Sequence, residues 1–304
     1  MALTAPAVGD SRFENALLAH TPFTLKANQA IHMQATILGG RGDSIVSAVQ
    51  KYVEIQGLPP IPKVAGGFDN AVTLLSHGWL DSAINEGGLF RHAVWGESFK
   101  AGPAGDAILY MDWLASHVTD SELRKRLIEA RDLAVTKMPQ GQPYFSSVSH
   151  TTIPTTPFVF GGVYPYVERR RADAESLLAR FDEQGIKRYR PRDVDYGKTH
   201  FAQHANGHAA PDLVHILEAA TLSGDQNLIT RGLELLDKQT ALYANSVPRG
   251  AQVWEIPLHT PDILASAHLV KAYTLGYMIS REPKHLEQAR YWAWTGVPFI
   301  YLAN

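Results

Sequence analysis

The sequence predicts an all-α fold built as an array of helical hairpins. Three observations carry this. Apolar residues recur at helical spacing through most of the second half of the chain. The stripes come in pairs separated by short turn-forming breaks. One pair opens at Pro211-Asp212-Leu213 and an equivalent pair at Pro261-Asp262-Ile263, and a fixed period of that size is the mark of a helical array.

Taken in order, residues 11–56 and 68–86 are expected to supply the first helices. The first clear hairpin opens at Asp106. Ala107, Ile108, Met111 and Leu114 form its first stripe, Thr119-Asp120 breaks it, and Leu123, Leu127, Ile128 and Leu133 form the second. Thr119 with Glu122 reads as a capping box. The stretch 139–166 departs from the pattern. It is rich in Pro, Thr, Ser, Val and Phe, and Phe158-Val159-Phe160-Gly161-Gly162-Val163-Tyr164 reads as strand, turn and strand, so a small β excursion is expected there. Arg169-Arg170-Arg171 reads as a solvated helix start. In the next hairpin Leu213, Ile216, Leu217 and Ala220 precede the break Ser223-Gly224-Asp225, and Leu228, Gly232, Leu235 and Leu236 follow it. In the last, Ile263, Leu264, Ala267 and Val270 precede Arg281-Glu282-Pro283, and Leu286, Ala289 and Trp292 follow. Proline and aspartate in a first turn suit a helix N-terminus, because the missing N–H is an orphan there and the carboxylate meets the dipole.

The 304 residues are read as one domain, 1–304. A hydrophobic share of 45% is ordinary for a globular chain of this size, which needs no covalent staples. A net charge of -2 leaves no basic excess to offset phosphates, so nucleic acid is not an expected partner. Cysteine is absent, which excludes disulfides and thiolate metal sites. No apolar run approaches the roughly 20 residues of a membrane span, so no membrane partner is expected. Trp292, Trp294, Val297, Phe299, Ile300 and Tyr301 crowd the C-terminal end. They read either as a docked segment or as part of a longer parent chain.

Hairpin arrays bring equivalent loops to one side, so the loops before the three hairpins are where chemistry is expected. The first carries Arg91, His92, Trp95 and Glu97. The second carries Asp195, Tyr196, His200, His204 and His208. The third carries Trp254, Glu255 and His259. Each combines aromatic rings, a carboxylate and a histidine. A ring face stacks on the apolar face of a sugar, and two carboxylates serve as acid and base across a glycosidic bond. Glu255 and Glu97 are the candidate pair, with His259 and Tyr196 as further proton-handling groups. Trp254, Trp95, His92, Asp195, His200, His204, His208 and Arg91 are candidate substrate contacts. Asp112, on the first helix of its hairpin, is a further group that can point inward. His200, His204 and His208 are four apart and would share a helix face able to hold zinc, but Asn206-Gly207 suggests a turn that breaks that face, so no cofactor or metal is expected. His215 and His268 read as core histidines inside their stripes, and His285 as a surface one. Gly39-Gly40-Arg41-Gly42 matches no phosphate-binding spacing and reads as a turn.

Ser223-Gly224-Asp225-Gln226-Asn227-Leu228 and Glu282-Pro283-Lys284-His285-Leu286-Glu287-Gln288-Ala289 resemble the turn between paired helices in the six-hairpin (α/α)-toroid carbohydrate-active enzymes. Gly207-His208-Ala209-Ala210-Pro211-Asp212-Leu213 is similar to the start of their inner helices. The likeness covers about residues 195–300 well and the first half loosely. It implies a toroid, with roughly ten of about twelve helices defensible here, so incomplete or truncated. It also implies an oligo- or polysaccharide substrate held at the toroid mouth. The superfamily includes glycoside hydrolases, polysaccharide lyases and sugar epimerases, so it sets no single activity. A hydrolase would use Glu97 and Glu255. A lyase or epimerase would use Tyr196, His200, His204 or His259 as base, with Arg91 or Arg192 neutralising an acidic sugar. A non-catalytic helical binding domain is the third reading.

Overall fold

The computed structural model describes residues 26–32, 34–61, 63–93, 100–139, 148, 156–191, 203–253 and 257–300. The chain divides into two units, 1–41 and 42–304. In the first, the described residues are exposed and hold neither helix nor strand; a turn at Asn28 (φ 66°) lets the Gln29 N–H donate to the Lys26 carbonyl at 3.0 Å.

The second unit carries ten helices among its described residues: α1 (Val46–Gln56), α2 (Gly67–Asp81), α3 (Gly105–His117), α4 (Ser121–Lys137), α5 (Thr156–Phe160), α6 (Val163–Leu178), α7 (Asn206–Ser223), α8 (Gln226–Leu242), α9 (Ile263–Ser280) and α10 (Pro283–Ile300). One short antiparallel pair, β1 (Asn85–Glu86) and β2 (Leu89–Phe90), sits between α2 and α3, with Asn85 opposite Phe90. The fold is therefore all-α.

Two cores form. One gathers Phe90, Ile108, Met111, Leu114, Leu123 and Leu127 where α3 packs on α4 and α2 covers them. The other centres on α7, whose Leu213, Ile216, Leu217, Ala219 and Ala220 are fully buried, with Tyr273 and Trp292 brought by α9 and α10. Side-chain contacts fix the directions. Gly207 faces Ala265 at the start of both helices, and Glu218 reaches Lys271 further along, so α7 and α9 run parallel. Arg180 meets Asp212 and Arg170 meets Glu218, so α6 runs antiparallel to α7. Ser266 bonds the Trp292 carbonyl while Gly276 faces His285, so α10 runs antiparallel to α9. Two parallel helices flanked by antiparallel ones are what successive hairpins produce. α1 packs against α10.

Several local expectations change. The run 158–164 is not a strand pair. Phe160 ends α5 and Val163 begins α6, and the two residues between them, Gly161 and Gly162, take φ of 91° and 90°, which suits glycine and breaks the helix without extending it. Such short apolar runs do not by themselves distinguish strand from helix. Of residues 11–56, helix is found only over α1 among those described. Asp120, rather than Thr119, caps α4, accepting from the Leu123 N–H at 2.8 Å. α7 begins at Asn206, a turn and more before Pro211, so Asn206-Gly207 is its first turn and Asp212 lies inside the helix. Asp262, by contrast, caps α9 from the N-cap position through the Ala265 N–H at 2.6 Å. His285 is buried, with Nδ1 2.9 Å from the Ser280 hydroxyl, because α9 lies over that face of α10.

Candidate functional site

The starts of α7 and α9 are tied together by the chain that joins their hairpins. Asn206 is fully buried; its amide donates to the Val247 carbonyl at 2.8 Å and its Oδ1 accepts from the Arg249 N–H at 2.9 Å. The Gly207 N–H donates to the Arg249 carbonyl at 2.9 Å. Asp262 Oδ2 accepts from the Ala251 N–H at 2.9 Å while Oδ1 serves the cap. Arg249 and Pro261 pair as an isolated bridge. A Cβ on Gly207 would stand 2.5 Å from both the Ala265 Cβ and the Arg249 carbonyl oxygen, so only glycine lets these backbones approach. This end is a rigid frame made largely of satisfied backbone groups.

Of the expected site residues, Trp95, Glu97, Asp195, Tyr196, His200, Trp254 and Glu255 lie outside the described residues, as does Arg192. Three histidines belong to the frame. His204 Nδ1 lies 2.8 Å from the Tyr243 hydroxyl. Burial, then Arg188 and Arg249, lower the basicity of His204, and burial keeps the Tyr243 phenol protonated, so the phenol can donate to a neutral imidazole. His208 sits in the first turn of α7 against the Tyr189 ring, and its carbonyl accepts from Lys187 Nζ at 2.8 Å. His259 is half-buried in the tying segment beside the buried Leu258. Arg91 and His92 belong to the other core, next to β2, where Arg91 is ion-paired with Glu86 and His92 is buried. Asp112 points to its hairpin partner, accepting from Arg131 of α4 at 2.6 Å.

His204 precedes α7, with Ala205 extended between them (φ -150°, ψ 153°), so His204 and His208 do not share a helix face. Among the described residues no group of three His, Cys, Asp or Glu side chains is placed to hold a metal ion.

A second polar set emerges that the loop-based reading of the sequence does not single out. On α7, Asp212, His215 and Glu218 recur every three residues within an otherwise apolar, buried helix. Asp212 lies between two cations, Lys187 at 2.9 Å and Arg180 at 3.4 Å. Glu218 also lies between two, Arg170 at 2.7 Å and Lys271 at 2.5 Å. Arg170 further approaches the Tyr166 ring at 6.0 Å; its neighbours Arg169 and Arg171 are exposed, but the run lies in the middle of α6 rather than at a helix start. His215 is exposed and His268 of α9 half-buried, so neither is a core histidine. Yet both are made less basic chiefly by desolvation, next by Arg170 for His215 and by Lys271 for His268. The sequence signal that finds this set is a polar spacing of three inside an apolar stripe.

Beside Asp212 a cleft of about 600 Å³ is lined by Arg180, Asp182, Lys187, Arg188, Arg190 and His208.

Comparison of the chain with known protein families, curated proteins and solved structures finds no match. No helix among the described residues is long and apolar enough to cross a membrane.

Proposed function

We propose that this chain is a carbohydrate-active enzyme of the hairpin-toroid type, with its active site at the tied ends of α7 and α9. The observation that carries the reading is the frame itself. Trp254, Glu255 and His259 fall in sequence between Arg249 and Ala251, bonded to Asn206 and Asp262, and Asp262 itself, the N-cap of α9. Rigid support of this kind is what a catalytic loop needs. The toroid arrangement draws support from α7 and α9 running parallel, each followed by its hairpin partner.

The hydrolase version assigns acid and base roles to Glu255 and Glu97, with carboxyl groups about 6.5–9.5 Å apart for inversion or about 5 Å for retention. Its test is turnover on a panel of glycosides by Glu97→Gln and Glu255→Gln. Each variant is expected to lose about 10²-fold or more. Full turnover in both would remove the assignment.

One observation favours a second chemistry, proton abstraction beside the carboxylate of an acidic sugar by a lyase or epimerase. The cleft beside Asp212 is lined by Arg180, Lys187, Arg188 and Arg190, cations that suit an acidic substrate. Tyr196, His200, His204 and His259 are its candidate bases. Unsaturated, ultraviolet-absorbing products from uronic polymers would identify the lyase.

A further inference from the structure

Beyond the end of α6 the chain alternates. Lys187 and Tyr189 turn inward, while Arg188 and Arg190 are exposed, which is the period of two of an extended segment. The inward pair anchors the segment to α7. Lys187 Nζ lies 2.9 Å from Asp212 and donates to the His208 carbonyl at 2.8 Å, and the Tyr189 ring meets the His208 ring at 5.9 Å. Lys187 is spent in this anchor, with 13% of its side chain open. The preceding turn is pinned too, since Asp182 Oδ1 accepts from the Gln184 and Ile186 N–H groups at 3.0 and 2.9 Å. The outward pair is held loosely. Arg188 reaches Asp182 Oδ2 at 3.5 Å, and Arg190 meets no carboxylate among the described residues. Arg180, just past the end of α6, reaches Asp212 at 3.4 Å. Arg180 and Arg188 are each 55% open. All three arginines line the cleft of about 600 Å³, a volume within the roughly 300–1,000 Å³ of small-ligand sites, and Phe181 and Pro191 give it apolar lining.

We infer that this cleft is an oxyanion-binding site in which Arg180, Arg188 and Arg190 hold a carboxylate or phosphate group of a small ligand. A guanidinium is a planar fork with five N–H donors, so one long contact to Asp182 or Asp212 leaves donors for a ligand. Arg190 has no carboxylate to give up. Paired N–H bonds from such a fork to an oxyanion are charge-assisted and stronger than neutral ones. The anchored segment presents Arg188 and Arg190 from fixed backbone, and Phe181 and Pro191 can face the carbon skeleton of the ligand. The site supplies contacts for the acidic-substrate reading but does not depend on it. A carboxylate arrives on an acidic sugar and a phosphate on a phosphorylated metabolite, and the two arms of the test separate them.

The test is nuclear magnetic resonance of the arginine Nε–H groups in the full chain, titrated with glucuronate, with inorganic phosphate and with glucose. Arg188→Gln and Arg190→Gln each assign their own signal, and binding to each variant is read on the signal of the other arginine. A saturable shift of both signals with glucuronate or phosphate, and none with glucose, is expected. Each variant should weaken that binding by about tenfold or more. Arg231→Gln, on α8 and outside the cleft, should leave it unchanged. Both cleft arginines are exposed, so their loss should not unfold the chain, and circular dichroism checks this. No saturable shift with either anion, an equal shift with glucose, unchanged affinity in Arg190→Gln, or an equal loss in Arg231→Gln would each overturn the site. Because the measurement is binding rather than turnover, it can fail while Glu97 and Glu255 remain catalytic, and it can succeed while they prove inert.

Discussion

His204, His215 and His268 are all less basic than a free imidazole, with desolvation the leading cause in each. The unfolded chain titrates these rings near about pH 6.5, whereas the folded chain holds its protons only at lower pH. Between those limits the unfolded state binds more protons. The stability these rings contribute is thus fully present above about pH 6.5 and is lost as pH falls through the lower folded values. Urea midpoints should be higher at pH 7.5 than at pH 5.5. Replacing the three histidines with glutamine should flatten that difference, and an unchanged pH response in the triple variant would refute the assignment. What the sequence shows at this scale is chemical type and helical face. It places Asp262 at a helix N-terminus, where the residue serves as the N-cap of α9, since capping is a local event between neighbours. It misplaces His215 and His285, because a position on a stripe says nothing about what lies opposite. α9 covers His285, whereas the face carrying His215 stays open.

Helix pairs follow from the breaks between stripes, and Ser223-Gly224-Asp225 and Arg281-Glu282-Pro283 do separate α7 from α8 and α9 from α10. The stripe also marks depth imperfectly. Leu217 is fully buried where α7 meets Gly232 of α8, while Leu133, an equally regular stripe member on α4, is 44% exposed. Leu217→Ala should therefore cost about 2–5 kcal/mol, through lost burial and the cavity left behind. Leu133→Ala should stay within about 0.5 kcal/mol. Equal losses in the two variants, read from urea unfolding with unchanged slope, would contradict this assignment of depth. The end of α5 and the starts of α6 and α7 are less legible. They depend on Gly161-Gly162 and on Asn206 finding backbone partners more than 40 residues away at Val247 and Arg249, and no local pattern announces such partners.

At the scale of the second unit, the sequence indicates an array but not how its ends are disposed, since the contact between α1 and α10 joins residues far apart in the chain. That contact is thin. Val49 is the one buried residue of α1, and exposed Tyr52 and Ile55 lie on the same short helix. α7, by contrast, is enclosed by α6, α8 and α9. Local opening free energy follows such differences in burial, so α1 should detach at a small fraction of the global unfolding cost. Val49→Asp puts a charge at its one fully buried residue. Amide exchange in that variant should show α1 losing protection while α7 and α9 keep theirs. If protection at Leu217 and Tyr273 falls in step with α1, the helices form one cooperative ring and α1 is a structural closure rather than a detachable strap. The enclosed packing of α7, complete without any contribution from α1, argues for the first result.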